Sequence, residues 1–85
     1  AQVQTGKYLQ AESHRRLGRL LSMNGEHPEG LQHLLAADRI YKQLEEPERE
    51  AATLENIGAL YRRQSDYPKA FEYYYNALEL REKLP

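Results

Sequence analysis

Cysteine is absent from the 85-residue sequence, which excludes a disulfide framework and thiolate chemistry and leaves the redox compartment open. No apolar run approaches the roughly 20 residues that span a bilayer, and no secretory signal pattern opens the chain. No segment alternates polar and apolar residues with period two, so no strands are expected. Neither sign of charge prevails: 12 basic side chains face 13 acidic ones, for a net charge of −1. That balance argues against a general nucleic-acid or membrane-surface binder while permitting local patches. A Gly-rich phosphate loop and a nucleophile elbow are both missing. No two of His14, His27 and His33 stand at the i, i+4 spacing of a helical zinc pair. No catalytic residue, metal site or cofactor is therefore expected. The first residue is Ala and not Met, so the expectation is a piece of a longer protein, whose targeting signals are not visible; a cytoplasmic setting is expected.

What is present is helical periodicity. Residues 1–6 are polar and without a clear period, as the end of a preceding repeat or a linker would be. Tyr8, Leu9, Leu17, Leu20 and Leu21, with Ala11 and Gly18, then recur at helical spacing over about 7–23. Asn24-Gly25 tolerates left-handed backbone and stops that helix. Pro28 suits a first turn, where its missing N–H is not needed, and a second stripe runs from Leu31 through Leu34, Ala37, Ile40 and Tyr41 to about Leu44. Glu45-Glu46-Pro47 breaks it and places acids at the positive end of the next helix. The third helix is expected over about 47–64 and the fourth over about 68–84, with Asp66 as a side-chain N-cap between them.

The chain also repeats itself. A shift of 40 residues superposes Gly18 on Gly58, Ala11 on Ala51, Leu20 on Leu60, Pro28 on Pro68 and Ala37 on Ala77. Leu17 then meets Ile57, Glu26 meets Asp66, and Ile40 meets Leu80. The matches are punctuation and small residues, which geometry dictates. Two helix pairs, residues 7–45 and 46–85, are expected to stack as a solenoid. Gly18 and Gly58 each cost roughly 1 kcal/mol of helix propensity relative to Ala, which close approach of a paired helix would offset.

The stretch Leu54-x-x-Ile57-Gly58-x-x-Tyr61, then Asp66-Tyr67-x-x-Ala70, then Tyr74-x-x-Ala77-Leu78, resembles the tetratricopeptide repeat. The first unit keeps Leu17-Gly18, Gly25-Glu26 and Ala37, but has His14, Leu21 and Gly30 where the second has Leu54, Tyr61 and Ala70. The period exceeds the usual 34 or so, which is similar to a longer-repeat subgroup found in bacterial signalling and quorum-sensing regulators and in some polarity and motor adaptors. The resemblance implies an all-α fold: two tandem helix-turn-helix units, four antiparallel helices, in a short right-handed α-solenoid.

It also implies a concave groove, lined by the first helix of each pair, that holds an extended peptide or a partner helix. The residues left over from packing on those helices include Arg15, Arg16, Arg19, Arg62 and Arg63. Guanidinium groups bind carboxylates in bidentate fashion, so the partner expected is an acidic protein segment or a free carboxyl terminus. Asn56 matches the family's asparagine that clamps a ligand's backbone amide; Arg16 stands at that place in the first unit. The competing reading is that these side chains are solvated, with Glu12 and Glu55 pairing them along the helix. In the run Tyr73-Tyr74-Tyr75, Tyr74 is expected in the core with its neighbours at the flanks. Phe71, Tyr74, Tyr75 and Leu78 are expected to leave an apolar strip on the last helix, suited to self-association. The function expected is a protein-interaction scaffold; the alternative is a structural spacer or oligomerisation segment of a bacterial sensory or regulatory protein.

Overall fold

Four helices follow one another: α1 (Gln2–Met23), α2 (His27–Gln43), α3 (Pro47–Arg63) and α4 (Tyr67–Glu82). The computed structural model describes residues 2–85, leaving Ala1 outside, and among the described residues there is no strand. Helix α1 starts upstream of the expected Lys7 and takes in residues 2–6 of the polar stretch expected to be the end of a preceding repeat or a linker; Ala1 lies outside the described residues. None of the helices is long and apolar enough to cross a membrane.

The three turns share one geometry. Gly25, Glu45 and Ser65 each adopt left-handed backbone, with φ of 85°, 55° and 62°. In each turn the next amide reaches back to the helix: Glu26 N–H to Leu21 O at 2.8 Å, Glu46 N–H to Tyr41 O at 3.0 Å, Asp66 N–H to Tyr61 O at 2.9 Å. Those bonds, with the bonds that Gly25, Glu45 and Ser65 donate to the carbonyls three residues back, are Schellman caps that satisfy the last carbonyls of each helix. A proline opens each following helix. Asp66 alone caps with its side chain, accepting from the Lys69 amide at 3.3 Å. Only the first left-handed position is a glycine, so the other two carry the steric cost of a Cβ.

Within each pair the helices approach at a glycine, but by different means. A Cβ on Gly18 would lie 2.8 Å from the Gly30 carbonyl oxygen, and one on Gly30 would lie 2.9 Å from the Gly18 oxygen. Gly30, which departs from the second unit's Ala70, is thus the partner of Gly18 in a backbone-to-backbone crossing. At Gly58 the neighbour is instead the Tyr74 ring, 2.8 Å from the same imagined Cβ. The pairs join where α3 lies on α2. Leu34 of α2 meets Leu54, Ile57 and Leu60 of α3 in one buried cluster that also takes in Ala51 and Ala77. A second cluster, Ala11 with Ala37, Ile40 and Tyr41, fills the first pair.

Five positions differ from the sequence expectation. Leu9, Leu17 and Leu20 belong to the apolar stripe of α1 yet are exposed, because α2 covers only the Ala11–Gly18 side. Tyr74 is half-buried and not in the core. Tyr73, expected at the flank, stacks on Tyr61 at 5.7 Å between ring centres and packs against the main cluster.

Two outcomes follow for denaturant unfolding. Gly18→Ala should destabilise by about 1–2 kcal/mol despite its gain in helix propensity, because the Gly30 carbonyl cannot yield, whereas Gly58→Ala should be close to neutral as the Tyr74 ring swings aside. Equal losses at both sites would contradict this difference. Ser65→Gly and Glu45→Gly should each stabilise by about 0.5–1 kcal/mol by relieving left-handed strain; a loss at either would contradict the turn geometry.

Candidate functional site

The face shared by α1 and α3 is built on a stripe of three residues seven apart, Arg49, Asn56 and Arg63. Heptad spacing sets them on one side of α3, and each reaches a residue of α1. Arg49 Nη1 is 3.4 Å from Glu12 Oε2, Arg15 Nη1 donates to Asn56 Oδ1 at 3.3 Å, and Arg63 Nη1 donates to the buried Ser22 Oγ at 3.0 Å. The Asn56 carbonyl is therefore engaged, while its NH2 group remains to donate.

Glu12 is the centre of this face. Arg15 lies 3.2 Å away and Arg16 3.6 Å away on the same helix, Arg49 approaches from α3, and the Tyr41 hydroxyl of α2 donates to the same carboxylate. Burial pushes the Glu12 carboxyl up, but the hydrogen bonds from Tyr41 and Arg15 and the charges of Arg15 and Arg49 outweigh it and hold the group at about 2. Burial together with the Glu12 carboxylate raises the Tyr41 phenol well above its usual range. Three guanidiniums around one carboxylate leave a local excess of positive charge in a chain that is otherwise balanced. Arg49 also stands over the Tyr8 ring, 4.9 Å from its centre.

The six residues singled out by sequence are not gathered at one point. Arg15, Asn56 and Arg63 lie in the α1–α3 contact. Arg16 is exposed with its weak Glu12 pair, and Arg19 is exposed without an ion pair or hydrogen bond among the described residues. Arg62, a 100° step round the helix from Arg63, stands beside Tyr67, Phe71 and Tyr74 of α4. Two arginines that the sequence reading passed over join the face. A cleft of about 610 Å³ is lined by Arg15, Arg49 and Arg81 together with Glu46 and Glu48. Arg81 comes from α4 and grips Glu55 with two bonds of 3.0 Å. The heptad spacing of Arg49 from Asn56 could have flagged the first; nothing local flags the second.

His14 and His33 meet between α1 and α2, Nδ1 to Nδ1 at 2.9 Å, so one ring donates and the other accepts. Among the described residues no three His, Asp or Glu side chains form a metal-holding group. Between α2 and α3, burial, against the pull of Lys42, raises the Asp38 carboxyl, and burial plus Asp38 raises Glu50.

Glu12 sets an acid limit on stability. Its folded-state pKa of about 2 lies below the ordinary 4.5, so its contribution is fully present above pH 4.5 and is lost as pH falls through about 2. Asp38 and Glu50, raised in the folded state, act oppositely and gain as pH falls. Wild type should exceed Glu12→Gln by about 2 kcal/mol at neutral pH, from charge-assisted hydrogen bonds, and the gap should close by pH 2 in thermal unfolding monitored by circular dichroism. A pH-independent gap would contradict the clamp.

Comparison with known proteins agrees with this architecture. A tetratricopeptide repeat family model matches residues 4–83, nearly the whole chain. No curated protein and no solved structure matches it significantly. Repeats of this kind generally mediate protein–protein interaction and are typically non-catalytic. Two helix pairs in a common 40-residue register, each closed at a glycine, carry the same identification: the chain belongs to the tetratricopeptide repeat family.

Proposed function

We propose that the chain is a non-enzymatic interaction scaffold that takes an acidic peptide or partner segment along the face of α1 and α3. The observation that carries this reading is the excess of guanidinium around Glu12. Arg15, Arg16 and Arg49 converge on that single carboxylate, and each presents more N–H donors than one carboxylate can absorb. Arg19 and Arg62 are further exposed cations on the same two helices, Arg63 keeps donors beyond its bond to Ser22, and the Asn56 NH2 can donate to a ligand's backbone carbonyl. An acidic segment laid along this face would meet those donors where solvent now meets them. The alternative, a spacer or oligomerisation segment of a sensory protein, draws on a different feature, the exposed apolar residues at the two ends of the helix stack.

The groove reading is tested by fluorescence anisotropy with a labelled glutamate-rich peptide carrying a free carboxyl terminus. Binding should weaken with added salt and fall at least about tenfold when Arg19→Glu and Arg63→Glu are combined, with helicity retained. A lysine-rich peptide bound as tightly, or an unchanged affinity in the double variant, would sink it.

A further inference from the structure

Eight of the nine exposed large apolar side chains among the described residues fall on two helices. Leu9, Leu17, Leu20 and Met23 lie on α1, and Tyr67, Phe71, Tyr75 and Leu78 belong to α4; the ninth, Leu35, is on α2. The 40-residue register explains both groups. Leu17 and Leu20 correspond to Ile57 and Leu60, with which α3 packs on α2. Ile57 and Leu60 are 0% and 1% exposed, whereas Leu17 and Leu20 are 44% and 53% exposed. Leu9 and Met23 correspond to Arg49 and Arg63, with which α3 reaches α1. On the other side, Phe71 and Tyr74 correspond to Leu31 and Leu34, which α3 covers. Tyr75 and Leu78 correspond to Leu35, which is itself exposed, and to the buried Asp38. One end of the stack thus bears the surface that α3 presents, and at the other Phe71 and Tyr74 bear the surface that α3 covers.

We propose that copies of this chain associate head to tail, α1 of one copy seating on α3 and α4 of the next as α3 seats on α1 and α2 within the chain. The occupant is identified by continuity with the α2–α3 joint, because a second copy brings a surface in the same register as the one already fitted there. The charges agree. Arg15 and Asn56, bonded across α1 and α3, correspond to Glu55 and to Arg16 of the incoming copy. The new joint therefore replaces a cation–amide bond by a pair of opposite charges. Glu55 already holds Arg81, but a carboxylate has lone pairs for a second guanidinium. Of the polar correspondences, Arg49 with Glu12 becomes Leu9 over Ala52, an apolar contact in place of an ion pair. The contact is heterologous, so it leaves a free head and a free tail on every assembly and grows with concentration instead of closing as a symmetric dimer. It rests on the ends of the stack and draws only Arg16 from the arginine face, so it stands whether or not a peptide binds there.

The test is sedimentation velocity on the 85-residue chain and on two double variants, Leu17→Glu/Leu20→Glu and Phe71→Glu/Leu78→Glu, with circular dichroism to verify helicity. All four positions are exposed, so neither variant should unfold. Wild type should gain mass with loading concentration, each variant alone should remain monomeric, and an equimolar mixture should form one-to-one dimers from the intact tail of the first and the intact head of the second. A wild type that stays monomeric at high concentration overturns the proposal. So does a mixture that fails to associate, or a head variant that still dimerises alone, which would mean a symmetric tail-to-tail contact.

Discussion

The seam where α3 lies on α2 is the constraint on which the rest of the molecule depends. Each helix pair of about 40 residues is too small for its own core to stabilise it, and Leu34 is shared between them: it packs against Gly18 inside the first pair and against Ile57 and Leu60 across the seam. Burial of this kind contributes on the order of 1.5–3 kcal/mol per large side chain, so the two pairs gain stability mainly by being joined. Stacking of units that cannot stand alone is the physical content of a repeat fold. It also means that the same surfaces recur at the ends, where Leu17 and Phe71 show what α2 and α3 hide.

A polar tie accompanies the apolar seam. Glu12 receives Tyr41 from α2 and Arg49 from α3, so one carboxylate of α1 fixes the angle among three helices. Hydrophobic contact is tolerant of small rotations, whereas charge-assisted hydrogen bonds are directional. The arginines on this face consequently serve two ends. They hold α1 to α3 with part of their donor set and offer the remainder to solvent or to a ligand. Arg15 and Asn56 illustrate the tension, since a ligand that took the Asn56 carbonyl would have to displace Arg15.

Much of the fold was legible in the sequence, because punctuation and small residues are dictated by backbone geometry. Gly18, Gly58, Pro28, Pro68 and Asp66 announced the helix pairs, and the structure places them as expected. The left-handed turns at Glu45 and Ser65 were not legible, since neither residue is one that prefers that conformation; the turns are set by the helices they join. Gly30 looked like a defect of the pattern until its carbonyl was seen against Gly18. Of the candidate site, residue types and helix faces could be read, but not their contacts. Periodicity marks Leu17 and Leu20 as apolar-face residues without saying whether a neighbour covers them. Arg81 reaches Glu55 from another helix, and no local spacing encodes that pairing.

The central claim is that one register governs both the internal seam and the two ends of the chain. It is tested most directly by a dilution series of amide chemical shifts in heteronuclear nuclear magnetic resonance. The expected result is that Leu9, Leu17 and Leu20 on α1 shift together with Phe71, Tyr74 and Leu78 on α4 as concentration rises, while residues of α2 remain still. Shifts confined to one end, or concentrated on the exposed side of α2, would contradict it.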